Sequence, residues 1–210
     1  MKTLIFKFLL TTIAFVTCNA LIAQAQENVA PITNNPFIEK REHSISTYKT
    51  TALTLPFFED FNQQQSIIPD TNKWIERQVY INNSMAVDMI SYGVATFDAI
   101  SQYGKPYDTV NPFTIRNADS LTSKQIDLGG KLPSDSIYLS FFYQAAGIGF
   151  APEKQDSLML YFKSKLSSTW VKVWSISDTI LHPFKQILIP IKDTLFLHSG
   201  FQFRFINKAS

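Results

Sequence analysis

Residues 137–143 read Ile-Tyr-Leu-Ser-Phe-Phe-Tyr; in an extended chain Leu139, Phe141 and Tyr143 share one face while Tyr138, Ser140 and Phe142 share the other. A helix would scatter these rings around its axis, whereas a period of two stacks them on a sheet. The same period returns downstream. Ser157 to Lys163 places Leu158, Leu160 and Phe162 together. Trp170 to Ile176 sets Val171 and Val173 on one face against Trp170, Trp174 and Ile176 on the other, and Phe201, Phe203 and Phe205 alternate with Gln202 and Arg204. Phe184 to Ile191 aligns Ile187, Ile189 and Ile191, although Pro190 has no N–H for a ladder and marks an edge or a bulge. Upstream, Trp74 to Ile81 and Tyr92 to Phe97 also read as strands.

Clusters of Asp, Ser, Asn, Gly and Pro separate these runs, no segment offers a capped amphipathic helix of useful length, and no repeat of 20 to 50 residues appears. The expectation is a single all-β domain from residue 55 to residue 210, an antiparallel β-sandwich. Residues 26–54 contain Pro31, Pro36 and the mixed charges Glu39-Lys40-Arg41-Glu42 without an apolar period, and read as a linker or loosely attached arm.

Further outward, Lys2 and Lys7 precede a mostly apolar run from Phe8 to Ile22, and Ala23-Gln24-Ala25 supplies small residues two apart. That is the layout of a cleaved secretory signal, residues 1–25, and the run is shorter than the roughly 20 apolar residues of a spanning helix. Cys18 raises the alternative of an acylated lipoprotein, but Phe15-Val16-Thr17 resembles the acylation motif poorly. Export to the periplasm, the outer-membrane surface or the medium is expected. Cleavage leaves 185 of the 210 residues, without cysteine, and with 17 basic groups (19 less Lys2 and Lys7) against 17 acidic ones. Balanced charge gives no electrostatic reason to expect nucleic acid or an anionic membrane, and no later stretch is apolar enough to span one. Without disulfides or thiolate metal sites, stability must come from a core.

The order of the pieces resembles a known arrangement: Glu59-Asp60-Phe61, Trp74, residues 118–123 (Ala-Asp-Ser-Leu-Thr-Ser), Tyr138 to Tyr143, Ser157 to Leu160, Trp170 to Trp174, Phe184 and Phe201 to Phe205. It is similar to a MAM-like or concanavalin A-like jelly roll of exported Bacteroidota proteins associated with type IX secretion. The resemblance covers roughly residues 55 to 210 and implies a jelly-roll topology with a role in recognition. It departs from the family in having no cysteine in the mature part and no further strand after Phe201 to Phe205. The chain is therefore expected to be a truncated product, with an open edge beside Phe201 to Ile206. The same resemblance implies glycosylation at Asp-Ser/Thr-aliphatic triplets, which here offer Thr109, Ser120, Ser136, Ser157, Thr179 and Thr194. Asp and Ser also bond locally in turns before strands, which explains such triplets without any sugar.

Catalytic patterns are sparse. The histidines are His43, His182 and His198, and no Gly-x-Ser-x-Gly elbow, phosphate loop or zinc helix occurs. A glycosidase needs two carboxylates facing one cleft, yet Glu59 and Asp60 are adjacent and point apart, and Glu76 stands alone in its strand. No cofactor is expected; a structural calcium would draw on Glu59, Asp60 and Asp98. For a ligand, Tyr92, Tyr103, Tyr107 and Phe113 offer flat rings and Arg116 a hydrogen-bonding cation, although such rings also close the ends of sandwiches. The functional expectation is a non-catalytic recognition module for a glycan or a surface protein, with a spacer domain of a larger secreted protein as the alternative and a glycosidase behind both.

Overall fold

Alternating apolar and polar residues draw the chain into strands, as seen in a computed structural model that describes residues 51–62, 66–108, 110–111, 114–166 and 169–209. The segment expected to be a signal, with Cys18, the part of the expected arm up to residue 50, with His43, and Thr109 and Phe113 lie outside the described residues. The strands are β1 (Tyr80–Asn82), β2 (Val94–Thr96), β3 (Arg116–Thr122), β4 (Tyr138–Tyr143), β5 (Ser157–Lys163), β6 (Trp170–Ile176), β7 (Lys185–Pro190) and β8 (Phe203–Ala209). Their ladders are all antiparallel, in a four-stranded sheet of order β3-β8-β5-β6 and two-stranded sheets β4-β7 and β1-β2. Among the described residues, no helix is long and apolar enough to cross a membrane.

The two larger sheets face one another. Phe141 of β4 meets Trp174 of β6 at 5.1 Å and Phe205 of β8 at 4.9 Å, both edge to face, so the inner side of β4-β7 closes over the four-stranded sheet. Leu160, Phe162, Phe201, Phe203 and Phe205 form the buried centre, and Leu139, Phe141 and Ile189 pack onto it. Trp74 closes one side, edge-on to Phe203 at 5.7 Å and stacked on Phe61 at 6.0 Å. The protein is thus an all-β antiparallel sandwich, as the period of two predicts.

Local departures have local causes. In β6, Trp174 pairs with Leu160 and Lys172 with Tyr161, which leaves Val173 as an extra residue. The bulge resets the alternation: Val173 and Trp174 both reach the core while Val171 turns outward, so the expected grouping of Val171 with Val173 is wrong. The strand expected over Trp74 to Ile81 is also shorter. Trp74 makes one bridge to Ser123, and beyond it side chains replace the ladder: Thr122 N donates to Glu76 Oε2 at 2.7 Å and Ser120 N to Gln78 Oε1 at 2.8 Å. The open edge expected beside Phe201 to Ile206 does not exist, because β8 lies between β3 and β5 and is paired on both sides. Pro190 ends an edge strand without a bulge, opposite Tyr138. Leu53 is already tied in, its N–H to Gln125 O at 2.7 Å and its carbonyl to Asp127 N at 2.8 Å.

Candidate functional site

Strand β3 carries a bulge between Asn117 and Ser120, and within it Asp119 turns into the protein until its exposure is 0%. A carboxyl so placed needs donors. Ala99 N supplies one to Oδ2 at 2.7 Å, from a residue held in the left-handed region at φ 58°, and the Tyr107 hydroxyl donates to Oδ1 at 2.9 Å. Asp98 lies close by and accepts from Ile100 N at 3.0 Å. Burial, and then the charge of Asp98, push the Asp119 carboxyl up to about 8. Burial likewise raises Asp98 to about 6, and burial followed by the charge of Asp119 raises the Tyr107 phenol. The raised carboxyl therefore favours its protonated form at neutral pH, while the Ala99 N–H and the Tyr107 hydroxyl tie the connection between β2 and β3 to the bulge of β3.

Two of the sequence candidates, Asp98 and Tyr107, thus meet around a second carboxyl, Asp119, which the sequence offers only as part of the quoted 118–123 stretch and of a glycosylation triplet. Tyr103 lies in the same connection with its ring largely in solvent. Arg116 forms an ion pair with Asp108, whose Oδ1 accepts from Val110 N at 2.7 Å and Asn111 N at 2.9 Å. Those two N–H groups, and then Arg116, hold the Asp108 carboxyl below its usual range. Tyr92 belongs to the β1–β2 connection instead.

That connection takes part in a second arrangement. Tyr143 at the end of β4 pairs with Lys185 at the start of β7, and Ile176 at the end of β6 pairs with Leu158 at the start of β5. Residues 144–156 and 177–184 therefore leave the sandwich at the same end. Residues 83–93 join them there: Gln144 bonds the backbone of Val87 in both directions, at 2.9 and 2.8 Å, and Ile148 N donates to Met85 O at 2.8 Å. Gly147, at φ +65°, permits this approach, since a Cβ there would lie 2.2 Å from Met85 O. The two joined loops carry Ile90, Tyr92, Ile148 and Phe150 in water, with Phe150 91% and Tyr92 74% exposed, and Ile180 is exposed on the third connection at the same end. The opposite end offers Leu132 and Leu166.

The remaining candidates are engaged structurally. Glu59 accepts from Phe61 N at 2.9 Å and Trp74 Nε1 at 3.0 Å and pairs with Lys73 at 3.4 Å. Asp60 caps Asn62 N at 3.1 Å, and among the described residues no three His, Cys, Asp or Glu side chains gather into a metal-holding group. Glu76 is occupied by Thr122 and lies 3.8 Å from Arg204. His182 pairs with Asp178 at 3.0 Å, and His198 packs against Phe201 with Nε2 3.2 Å from Lys163 O, so the two do not meet. Of the glycosylation candidates, Ser136 and Thr194 are exposed, Ser157 and Thr179 half-buried, and Ser120 donates to Gln78 at 2.6 Å.

Comparison with protein-family models, with curated proteins and with solved structures finds no match for this chain. The reading of the site therefore rests on its own chemistry. Sequence reasoning passed over Ile90, Ile148, Phe150 and Ile180, for which the available signal was a set of apolar residues stranded inside Asp-, Gly- and Pro-containing connections. For Asp119 it was the shared parity with buried Leu121.

Proposed function

We propose that the chain is an exported, non-catalytic recognition module that engages a partner through the joined loops at one end of the sandwich. One observation carries this reading: large apolar side chains stand in water on three connections that emerge together, two of them clamped by hydrogen bonds. Exposed apolar residues scattered singly are ordinary, whereas a set held on neighbouring loops marks a contact surface. The aliphatic content of Ile90, Ile148 and Ile180 favours a protein partner over a sugar, because these side chains gain by desolvation and offer sugar hydroxyls nothing. A glycan is the second reading, supported by Tyr92 and Tyr103, whose exposed rings provide stacking faces. A spacer role is compatible with the sandwich but leaves the apolar rim without a purpose. A glycosidase fares worst, since Glu59 and Glu76 are both spent on neighbouring backbone groups.

The test is a comparison of surface-protein pull-down and glycan array for the chain, for a Tyr92→Ser/Ile148→Ser/Phe150→Ser variant, and for a Leu132→Ser/Leu166→Ser control at the other end. Binding that is lost in the first variant and kept in the second is the expected result. Equal binding by all three, or none by any, would overturn the proposal. Polysaccharide hydrolysis abolished by Glu76→Gln would replace it with the enzymatic reading.

A further inference from the structure

A sheet edge exposes a row of backbone donors and acceptors that invites another strand, and proteins blunt such edges with charge, proline, bulges or cover. This sandwich blunts three of its four main edges. The outer side of β3 is covered by residues 74–78, with Ile75 N bonded to Thr122 O at 2.9 Å and the Glu76 and Gln78 side chains taking the next free N–H groups. Strand β6 has its bulge at Val173 and carries Lys172. Strand β7 carries Lys185 and ends in Pro190. Among the described residues, strand β4 has none of these devices. Its sequence, Tyr-Leu-Ser-Phe-Phe-Tyr, holds no charge and no proline, its register with β7 is unbroken, and among the described residues it pairs on that one side alone. Its outer face leaves Tyr138 and Phe142 about half exposed.

We propose that β4 is an assembly edge, through which two copies of the chain pair antiparallel about a two-fold axis at Ser140. The strand itself selects a second copy as occupant and Ser140 as centre. A two-fold axis perpendicular to the sheet keeps inward residues opposite inward ones, and about Ser140 it sets Leu139 against Phe141 of the mate on the core side. On the outer side it sets Tyr138 against Phe142 of the mate, twice, so the four half-exposed rings cover one another as aromatic cross-strand pairs. Centring on Phe141 instead would oppose Tyr138 to Gln144 and Ser140 to Phe142, and would leave the rings unmatched. The pairing joins two β4-β7 ribbons into a four-stranded β7-β4-β4-β7 sheet. A contact of six residues per strand lies at the small end of specific interfaces, so the dimer is concentration-dependent, with a dissociation constant on the order of micromolar or weaker. The assembly does not depend on the loop end having a ligand.

Sedimentation equilibrium of the full chain over a concentration series reads the association. The expected result is a monomer–dimer equilibrium that Ser140→Lys, which places two like charges face to face at the axis, weakens by at least about tenfold without changing urea unfolding of the monomer. Register is read by cysteine crosslinking in a Cys18→Ser background: Ser140→Cys gives a disulfide-linked dimer under mild oxidation, and Leu188→Cys, on the exposed face of β7, does not. A chain that stays monomeric at its highest soluble concentration overturns the proposal, as does a dimer that Ser140→Lys leaves intact or that crosslinks equally well through Leu188→Cys.

Discussion

Raising the pH from 5 to 8 should destabilise this protein, with the Asp119 carboxyl as the principal reason. In the unfolded chain an aspartate loses its proton near pH 4, whereas in the fold burial, with the neighbouring charge of Asp98, holds it to about 8. Between those values the folded state binds more protons than the unfolded one, so the free energy of unfolding falls as pH rises; the stability is complete below the unfolded value and is lost through the folded one. Each full unit of pH in that window costs about 1.4 kcal/mol for one group, and the last unit counts for less because the carboxyl is half-titrated near 8, so the fall between pH 5 and 8 is roughly 3–4 kcal/mol from Asp119. Asp98 adds to it only up to about pH 6. Asp108 and Asp178, held below the usual carboxylate range by their partners, titrate beneath the window. Asp119→Asn mimics the uncharged carboxyl: its carbonyl accepts from Ala99 N, and its amide donates to the Tyr107 oxygen once that hydroxyl turns from donor to acceptor. Urea unfolding followed by tryptophan fluorescence at pH 5 and pH 8 is the assay. The variant should match the parent at pH 5 and exceed it by roughly 3–4 kcal/mol at pH 8. A parent whose stability is flat or rises across the interval, or a variant with the same slope, refutes the assignment of a protonated Asp119.

Three further outcomes follow from the geometry. Glu76→Ala removes the acceptor for both Thr122 N and the Thr122 hydroxyl, in a residue that is fully buried and whose Oγ1 keeps only the bond it accepts from Arg204 Nε, and should cost about 2–3 kcal/mol in urea unfolding. Phe162→Ala removes a ring 1% exposed that packs edge-on against Phe196 at 5.3 Å and Phe201 at 5.2 Å, and thermal and urea unfolding should show a loss of about 3–5 kcal/mol. Gly147→Ala forces a Cβ into Met85 O at a left-handed position; stability should drop by about 1–3 kcal/mol, and hydrogen exchange should accelerate at Val87 and Ile148 as the two loops part.

The period of two was legible wherever a strand keeps one face on the core for its full length. Strands β4, β5, β7 and β8 do so, and Leu139, Leu160, Ile189 and Phe203 land where alternation puts them. Strand β6 was misread because one extra residue at Val173 shifts the parity of everything after it, and a bulge leaves no mark on composition. The run from Trp74 to Ile81 was read as one strand although its buried positions change parity, from Trp74 at an even number to Val79 and Ile81 at odd ones. That change was visible and marks the point where Glu76 and Gln78 take over the work of a backbone ladder. The false open edge at β8 came from the further strand that the resemblance leads one to expect; without it β8 is still paired on both sides, because it lies between β3 and β5.

The candidate site was legible only as ingredients, and the reason is that burial is a property of the whole chain. There are eighteen phenylalanines. Phe162, Phe201 and Phe203 vanish into the core, while Phe150, in the stretch Gly147-Ile148-Gly149-Phe150, stands in water. Local pattern separates them only weakly, since a glycine-flanked aromatic in a connection is as often tucked under a loop as displayed on it. Phe150 stands beside a long-range contact, the bond from Ile148 N to Met85 O across more than sixty residues of chain, which fixes the loop beside residues 83–93. Asp119 follows the same logic in reverse. Its parity with Leu121 points inward, and an inward carboxylate is too costly to sustain alone, so the sequence implies a partner without naming one. Tyr107 and Ala99 become that partner only because the β2–β3 connection folds back over the bulge. Both features therefore depend on contacts between distant segments, and a substitution that opens either contact should alter the site while leaving the period of two, and the sandwich built on it, in place.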